Sequence, residues 1–189
     1  MKNNIVLIGY MGCGKSTIGR QLAKISGRSF VDTDAWIEEK EGVTISKIFA
    51  AKGEECFRDM ETECLQTLLK ENESKQKYLD DLERVSPKGM KGINDKVISV
   101  GGGLPVREIN QKLLQKLGYV IYLKAKPNTI FERIKGDTSR PLLQTENPLQ
   151  RIHEMISFRE SKYQAAAQGV VEVDGKSVDE IIEEILELK

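Results

Sequence analysis

Gly9-Tyr10-Met11-Gly12-Cys13-Gly14-Lys15-Ser16 is the stretch that decides the fold of this chain of 189 residues. Its spacing of glycines, lysine and hydroxyl is typical of a loop that wraps a polyphosphate. The pattern needs glycines because the backbone must bend tightly and bring its N–H groups against phosphate oxygens, where a Cβ would intrude. In such a loop Lys15 reaches the β- and γ-phosphates, and Ser16 can ligate Mg²⁺. The stretch therefore predicts a nucleotide-binding protein.

The residues on both sides of the loop agree with this prediction. Residues 4–8 form a short, β-branched run, as in a buried parallel strand, and residues 16–25 carry apolar side chains at helical spacing. Strand, loop and helix thus follow in the order that places an anion at the N-terminus of the helix. The alternative, a glycine-rich turn with an incidental lysine, does not require this order.

Further strand-like runs alternate with helical patterns along the chain, at residues 29–31, 97–100, 120–123 and 170–173. This alternation predicts an α/β fold with a parallel sheet flanked by helices. Two helix starts are marked by Pro127 and by the capping box of Ser177 and Glu180, and another helix is predicted over residues 148–166. The length suits a single domain over residues 1–189.

The composition limits the classes of partner. Lysine plus arginine and aspartate plus glutamate number 29 each, so no global field favours a nucleic acid or an anionic membrane. The early apolar run is too short for the core of a signal peptide, and no stretch approaches the length of a membrane span. The three cysteines lack metal-ligand spacing, and their odd number indicates reduced thiols and a cytoplasmic location. Cys13 is either a reactive thiol or, as we favour, a small residue tolerated in the loop.

Residues 71–96 differ from the rest of the chain because they are polar, rich in lysine and contain turn signals at 86–89 and 91–92. They predict a surface excursion that includes a short helix. One face of this helix would carry Tyr78, Leu79, Leu82 and Val85. A functional lid and a solvated insertion are both open, and we favour the insertion because loops accept added length at small entropic cost.

The segment Asp32-Thr33-Asp34 follows a predicted strand and carries two candidate catalytic carboxylates. If the backbone stays extended, both point to the same side, at the sheet edge where ligands bind in open α/β folds. One carboxylate could hold Mg²⁺ through water while the other accepts a hydrogen bond from a hydroxyl that attacks phosphorus. The alternative is that the Asp-x-Asp segment simply caps the helix that starts near Ala35. Both interpretations are open at this point.

The triplet Gly101-Gly102-Gly103 follows the strand predicted over residues 97–100. Close approach of the backbone to a ligand explains three residues without side chains, and a bare tight turn explains them equally well. Ser99 precedes the triplet by two residues and could touch the water shell of a metal ion.

Four arginines are candidates for binding anions. Arg133 and Arg140 bracket a polar stretch suited to a mobile loop, which could close a cation over the phosphates. Arg58 lies beside the apolar stripe of the helix predicted between residues 53 and 70, and Arg159 lies on the helix over residues 148–166. Taken individually, Arg58 and Arg159 are as well explained by solvated surface positions.

Together these motifs resemble one family, the shikimate kinases, which are small P-loop kinases of aromatic amino-acid biosynthesis. The resemblance covers nearly the whole chain. It implies a three-layer α/β/α fold with a five-stranded parallel sheet, a helical substrate-binding segment and a mobile lid over residues 136–147, and it marks the excursion at 71–96 as an insertion atypical of the family. The motifs that carry it are residues 9–16, Asp32-Thr33-Asp34, Phe57-Arg58-Asp59-Met60-Glu61, Gly101-Gly102-Gly103, Arg133 through Arg140-Pro141-Leu142-Leu143, and Arg159 with Tyr163.

The resemblance also implies an activity, the ATP-dependent phosphorylation of the 3-hydroxyl of shikimate with Mg²⁺ as cofactor. It implies ATP binding by Gly12, Cys13, Gly14, Lys15, Ser16 and Thr17, with Arg133 against adenine and Arg140 at the phosphates. It implies shikimate binding by Asp34, Phe57, Arg58, Gly101, Gly102, Gly103 and Arg159. Ser16 and Asp32 would arrange Mg²⁺, and the catalytic residues would be Lys15, Asp34 and Arg140. We expect a monomer.

Alternative functions are tested against the same residues. An adenylate kinase would normally carry a proline in the glycine loop and a larger lid, and a GTP-dependent switch would need an Asn-Lys-x-Asp tetrapeptide, which is absent. A gluconate kinase shares the loop and the sheet, but we expect its carboxylate-binding arginines in a different frame. An ATP-binding paralogue without kinase activity is the other alternative. It would bind nucleotide without releasing ADP in response to shikimate.

Overall fold

A five-stranded parallel sheet organises the computed structural model, which describes residues 4–83, 95–136 and 145–188. In chain order the strands are β1 (Ile5–Ile8), β2 (Ser29–Asp32), β3 (Lys96–Ser99), β4 (Tyr119–Lys124) and β5 (Gly169–Glu172), and their spatial order is β2-β3-β1-β4-β5. The helices are α1 (Lys15–Ser26), α2 (Thr33–Glu41), α3 (Ile45–Glu83), α4 (Glu108–Leu117), α5 (Pro127–Ile134), α6 (Pro148–Ala166) and α7 (Val178–Glu187), with one 3₁₀ turn at Leu104–Val106.

The central strand β1 is fully buried and pairs with β3 and β4, with Ile5 opposite Val97 and Tyr119. A strand buried on both faces needs apolar side chains at consecutive positions, which explains its unbroken β-branched run. Because all strands run in parallel, the loops that follow β1, β2 and β3 emerge at one edge of the sheet. This edge therefore brings together the glycine loop, the two aspartates and the glycine triplet.

The predicted α/β fold is confirmed, and the boundaries of the five strands differ from the predicted ones by one residue at most. Pro127 occupies the first turn of α5 as predicted. The capping box before α7 is also present: the Glu180 N–H donates to Ser177 Oγ, and the Ser177 N–H donates to the Glu180 carboxylate at 2.7 Å. Among the described residues, no helix combines the length and hydropathy that a membrane span requires.

The largest difference from the sequence prediction concerns the excursion at 71–96. Helix α3 breaks at Gly53 (φ 79°, ψ 171°) and then continues to Glu83, so the first half of the predicted excursion is helix. Its last residue, Lys96, begins β3, is buried and pairs with Glu71 at 2.6 Å. Residues 84–94 lie outside the described residues, and so does most of the lid predicted over 136–147.

Candidate active site

The glycine loop connects β1 to α1 in a conformation that only glycines adopt without strain. Gly9, Gly12 and Gly14 all have positive φ, at 144°, 77° and 100°. A Cβ on Gly9 would lie 2.6 Å from the carbonyl oxygen of Leu123, and a Cβ on Gly12 would lie 2.7 Å from Ile134. The loop therefore needs glycine for its backbone angles and for its packing, and its N–H groups stay accessible to an anion at the start of α1.

Lys15 is the first residue of α1 and folds back over the loop. Its Nζ donates to the carbonyl oxygens of Gly9 at 2.9 Å and Tyr10 at 3.0 Å. The ammonium group is thus held at the loop, close to the position of a phosphate that the loop would bind. The thiol of Cys13 is fully buried beneath the loop, 3.8 Å from the same Nζ, which favours a packing role over a reactive one.

Three oxygen-bearing side chains converge where α1, β2 and β3 meet. Ser16 Oγ donates to Asp32 Oδ2 at 2.8 Å and lies 3.4 Å from Ser99 Oγ. Asp32 Oδ1 accepts from the backbone N–H groups of Asp34 and Ala35, so the predicted helix-cap interpretation is confirmed. The second carboxylate oxygen faces the Ser16 hydroxyl, and this donor set fits Mg²⁺, which binds through one or two protein oxygens, waters and substrate phosphates.

Asp34 lies in the first turn of α2, so the segment that contains the two aspartates turns into a helix instead of staying extended as the sequence analysis assumed. Its carboxylate faces Gly101, where a Cβ would come within 2.5 Å of Oδ1. This buried oxygen has no hydrogen-bond partner among the described residues. Burial, together with the nearby charge of Asp32, raises the pKa of Asp34 to about 6. The absence of a side chain at Gly101 therefore lets the Asp34 carboxylate lie against the backbone of the triplet.

Glu61 is a site residue that the sequence analysis did not assign. Its side chain is 1% exposed, and Oε2 accepts from Arg58 Nη1 at 2.8 Å. Oε1 is buried without a partner in the described part of the chain and would lie 3.0 Å from a Cβ on Gly101. Burial raises the pKa of Glu61 to about 7, although the charge of Arg58 opposes the rise. The signal in the sequence was its position on the apolar stripe of α3, four residues after Phe57.

Arg58 packs its guanidinium against the last glycine of the triplet. A Cβ on Gly103 would collide with this group, so the glycine is required for the close approach. Arg58 Nη2 pairs with the exposed Glu54 at 2.8 Å, and the guanidinium lies over the ring of Phe57, 5.5 Å from its centroid. Phe57 is itself buried and packs against Phe49, so the ring that contacts the Arg58 guanidinium is held in place.

Arg159 approaches the middle glycine of the triplet from α6. Its Nη1 donates to the carbonyl oxygen of Gly102 at 3.4 Å, and its guanidinium lies 5.6 Å from the centroid of the Tyr10 ring. The hydroxyl of Tyr163, one turn further along α6, donates to the same carbonyl oxygen at 2.6 Å. Both candidate substrate arginines are therefore anchored on the triplet, although they are 101 residues apart in the sequence.

A cleft of about 530 Å³ joins these parts. It is lined by the predicted site residues Gly12, Cys13, Gly14, Lys15, Ser16, Thr17, Asp32, Asp34, Gly101, Gly102 and Arg133. Four predicted substrate-binding residues do not line the cleft and lie in or beside the triplet: Phe57, Arg58, Gly103 and Arg159. Arg140 lies outside the described residues. Arg133 donates to the carbonyl oxygen of Gly12 at 3.2 Å. The lining also contains residues that were not predicted from the sequence as site residues: Met11, Ile18, Val100, Ile134, Lys176, Val178 and Ile181.

A phosphate loop that shares one cleft with the carboxylates of Asp32 and Asp34 is typical of a P-loop kinase. Comparison with known families agrees, because models of the shikimate kinase family match residues 11–77 and 76–189. The chain belongs to the shikimate kinase family.

Similar proteins extend over almost the full length of the chain. A shikimate kinase of Thermodesulfovibrio yellowstonii is 39% identical over 183 residues, which cover 97% of this chain and 92% of the relative. Among solved structures, a shikimate kinase from Acinetobacter baumannii in complex with shikimate superposes with a TM-score of 0.82 at 33% identity, covering 98% of this chain and 92% of that one.

The alternative of a gluconate kinase shares only the fold. A gluconokinase from Sinorhizobium meliloti superposes over 99% of this chain with a TM-score of 0.55, but it is 17% identical. Similarity at this level shows the same arrangement of strands and helices and nothing about the substrate.

Proposed function

We propose that the chain transfers the γ-phosphoryl group of ATP to the 3-hydroxyl of shikimate, giving 3-phosphoshikimate and ADP. One observation carries the proposal: the phosphate loop and Asp34 line the same cleft, and both arginines of the acceptor half contact the glycine triplet that borders it. Membership of the shikimate kinase family supports the choice of acceptor.

Arg58 and Arg159 are the groups that would hold the carboxylate of shikimate. A guanidinium presents a fork of N–H donors that matches a carboxylate, which lysine could not do. Arg58 keeps Glu61 as a buried partner, whereas its second partner, Glu54, is 66% exposed. An exposed ion pair is weak, so the substrate carboxylate can replace Glu54 at little cost.

Asp34 is the residue that would accept the hydrogen bond, and then the proton, of the attacking hydroxyl. Its raised pKa of about 6 leaves it ionised at neutral pH and close to the range in which a general base is most efficient. Its buried Oδ1 is without a partner among the described residues, so an acceptor position is open for the substrate. The glycine triplet would orient the other hydroxyls.

The donor half would act mainly by neutralising charge. Ser16 and Asp32 would hold Mg²⁺, which would supply positive charge against the phosphates during transfer. Lys15 would turn from the loop carbonyls to the phosphates. Arg133 would lie against adenine, and Arg140 would reach the transferred phosphoryl group from the lid.

A coupled assay of ADP release with Mg·ATP and three acceptors tests the proposal. We expect turnover with shikimate and background rates with gluconate and AMP. Arg58→Ala should raise the KM for shikimate. The matched control Arg107→Ala should not, because Arg107 pairs with Glu55 and Asp59 instead of packing against the triplet. Equal background rates with all three acceptors would overturn the proposal. Nucleotide binding without such turnover would indicate the paralogue without kinase activity.

A further inference from the structure

A buried polar bridge links the two segments that carry the acceptor residues. Thr62 on α3 donates its hydroxyl to Asn110 Oδ1 on α4 at 2.9 Å, and Asn110 Nδ2 donates to the carbonyl oxygen of Leu104 at 3.0 Å. Asn110 is fully buried. A buried amide is costly unless its polar atoms are paired, and here both its oxygen and its nitrogen have partners from different segments.

The two ends of the bridge lie next to the acceptor residues. Leu104 directly follows the glycine triplet and starts the 3₁₀ turn. Thr62 lies one helical turn after Arg58, and its hydroxyl is also 3.1 Å from the carbonyl oxygen of Arg58. The bridge therefore connects the backbone that presents Arg58 to the backbone that presents Gly103.

The guanidinium group of Arg58 packs directly against the backbone of Gly103. The Arg58 guanidinium occupies the volume that a Cβ on Gly103 would need, so a shift of α3 relative to the turn displaces the guanidinium directly. The other polar contacts across this interface, from Arg107 to Glu55 and Asp59, are exposed ion pairs, which hold a geometry weakly.

We infer that Thr62 and Asn110 are positioning residues, which hold α3 and the triplet turn at the separation at which Arg58 and the triplet together accept the substrate carboxylate and hydroxyls. The inference rests on the proposed function. Loss of the bridge should raise the KM for shikimate and leave the KM for ATP unchanged, because its hydrogen bonds join α3, α4 and the turn after the triplet and involve no residue of the phosphate loop.

The test uses the near-isosteric change Thr62→Val, which removes the hydroxyl donor and keeps the volume. We expect the KM for shikimate to rise about threefold to tenfold, the cost of one hydrogen bond to a buried acceptor, with kcat and the KM for ATP within about twofold of the parent. Thr62→Ser, which restores the hydroxyl, should recover the parent KM. Gln111→Met is the matched control, because Gln111 donates to the carbonyl oxygen of Pro105 in the same turn at 3.0 Å without reaching α3.

The outcomes separate this inference from the function on which it rests. A parent protein without shikimate-dependent ADP release overturns the proposed function and the positioning role together. An active parent with an unchanged KM in Thr62→Val overturns the positioning role alone. The same holds if Gln111→Met raises the KM as much as Thr62→Val, or if Thr62→Ser fails to restore it, because a general loss of stability would then explain the effect.

Discussion

At Asp32, the two carboxylate oxygens have different partners. Oδ1 accepts from the N–H groups of Asp34 and Ala35 at the start of α2, and Oδ2 accepts from the Ser16 hydroxyl. The first contact stabilises a helix, and the second belongs to the donor set proposed for Mg²⁺. Because the two contacts use different atoms, substitutions can separate them.

Asp32→Asn should impair Mg²⁺ use without weakening the helix. Asparagine caps a helix about as well as aspartate, so we expect the free energy of unfolding to stay within roughly 0.5 kcal/mol of the parent. The Mg²⁺ concentration for half-maximal ADP release should rise by about tenfold or more, since the anionic oxygen is lost. Asp32→Ala is the comparison, and it should also lose about 1 kcal/mol of stability with the cap. A Mg²⁺ dependence in Asp32→Asn equal to that of the parent would rule out the metal role.

The titration of Glu61 should be visible in the stability of the protein. Its pKa in the folded state is raised from 4.5 to about 7, so folding favours the protonated form. This contribution to stability is fully present below pH 4.5 and is lost as the pH rises through 7. Between pH 5 and 7.5, we therefore expect the unfolding free energy of the parent to fall by roughly 1 to 3 kcal/mol more than that of Glu61→Gln. Denaturant unfolding of parent and variant at several pH values measures this, and identical pH slopes would contradict it.

Among the secondary-structure elements, those with a strong local signal were predictable. Each strand is a short run that contains valine or isoleucine, and the capping box before α7 is a local pattern of four residues. A short helix that includes Tyr78, Leu79 and Leu82 was predicted, but residues 71–77 were assigned to a surface excursion because they are polar. Such a composition fits a loop, yet glutamate, lysine, glutamine and leucine also favour a helix, and α3 continues through them.

Site residues that depend on distant contacts could not be predicted in the same way. Glu61 follows Arg58 by three residues, a spacing that also fits an exposed ion pair, and its position on the apolar stripe of α3 was the one signal that it is buried. The contact between Thr62 and Asn110 joins residues 48 positions apart, and nothing in one sequence specifies such a pair. The phosphate loop, in contrast, was recognisable because its chemistry is local.

The far part of α3 and the segment after it should be dispensable for catalysis. Among the described residues, none of those between 71 and 95 lines the cleft. A variant in which a Gly-Ser linker replaces residues 75–93 keeps Glu71 and Lys96, whose ion pair secures the start of β3. We expect its KM values for ATP and shikimate to stay within about twofold of the parent, since loops tolerate large changes in length. A loss of more than about tenfold in kcat/KM would assign this segment to the active site or its lid.

In the whole molecule, the parallel sheet brings the donor and acceptor halves of the site to one edge. The loop after β1 carries Lys15 and Ser16, the end of β2 carries Asp32 with Asp34 in the next turn, and the triplet follows β3. Helices α3 and α6 then bring the two arginines to the triplet. The monomeric state, the cytoplasmic location and the closure of Arg140 over the phosphates stay predictions.

Phosphorus-31 NMR of the reaction products tests most directly whether the protein transfers the γ-phosphoryl group of ATP to the 3-hydroxyl of shikimate. We expect one phosphate ester, with its phosphorus coupled to the proton on C3 of the ring, formed in equal amount with ADP and only when shikimate is present. An ester on a different hydroxyl would contradict the orientation assigned to Asp34 and the triplet. Release of inorganic phosphate in place of any ester would contradict the kinase activity itself.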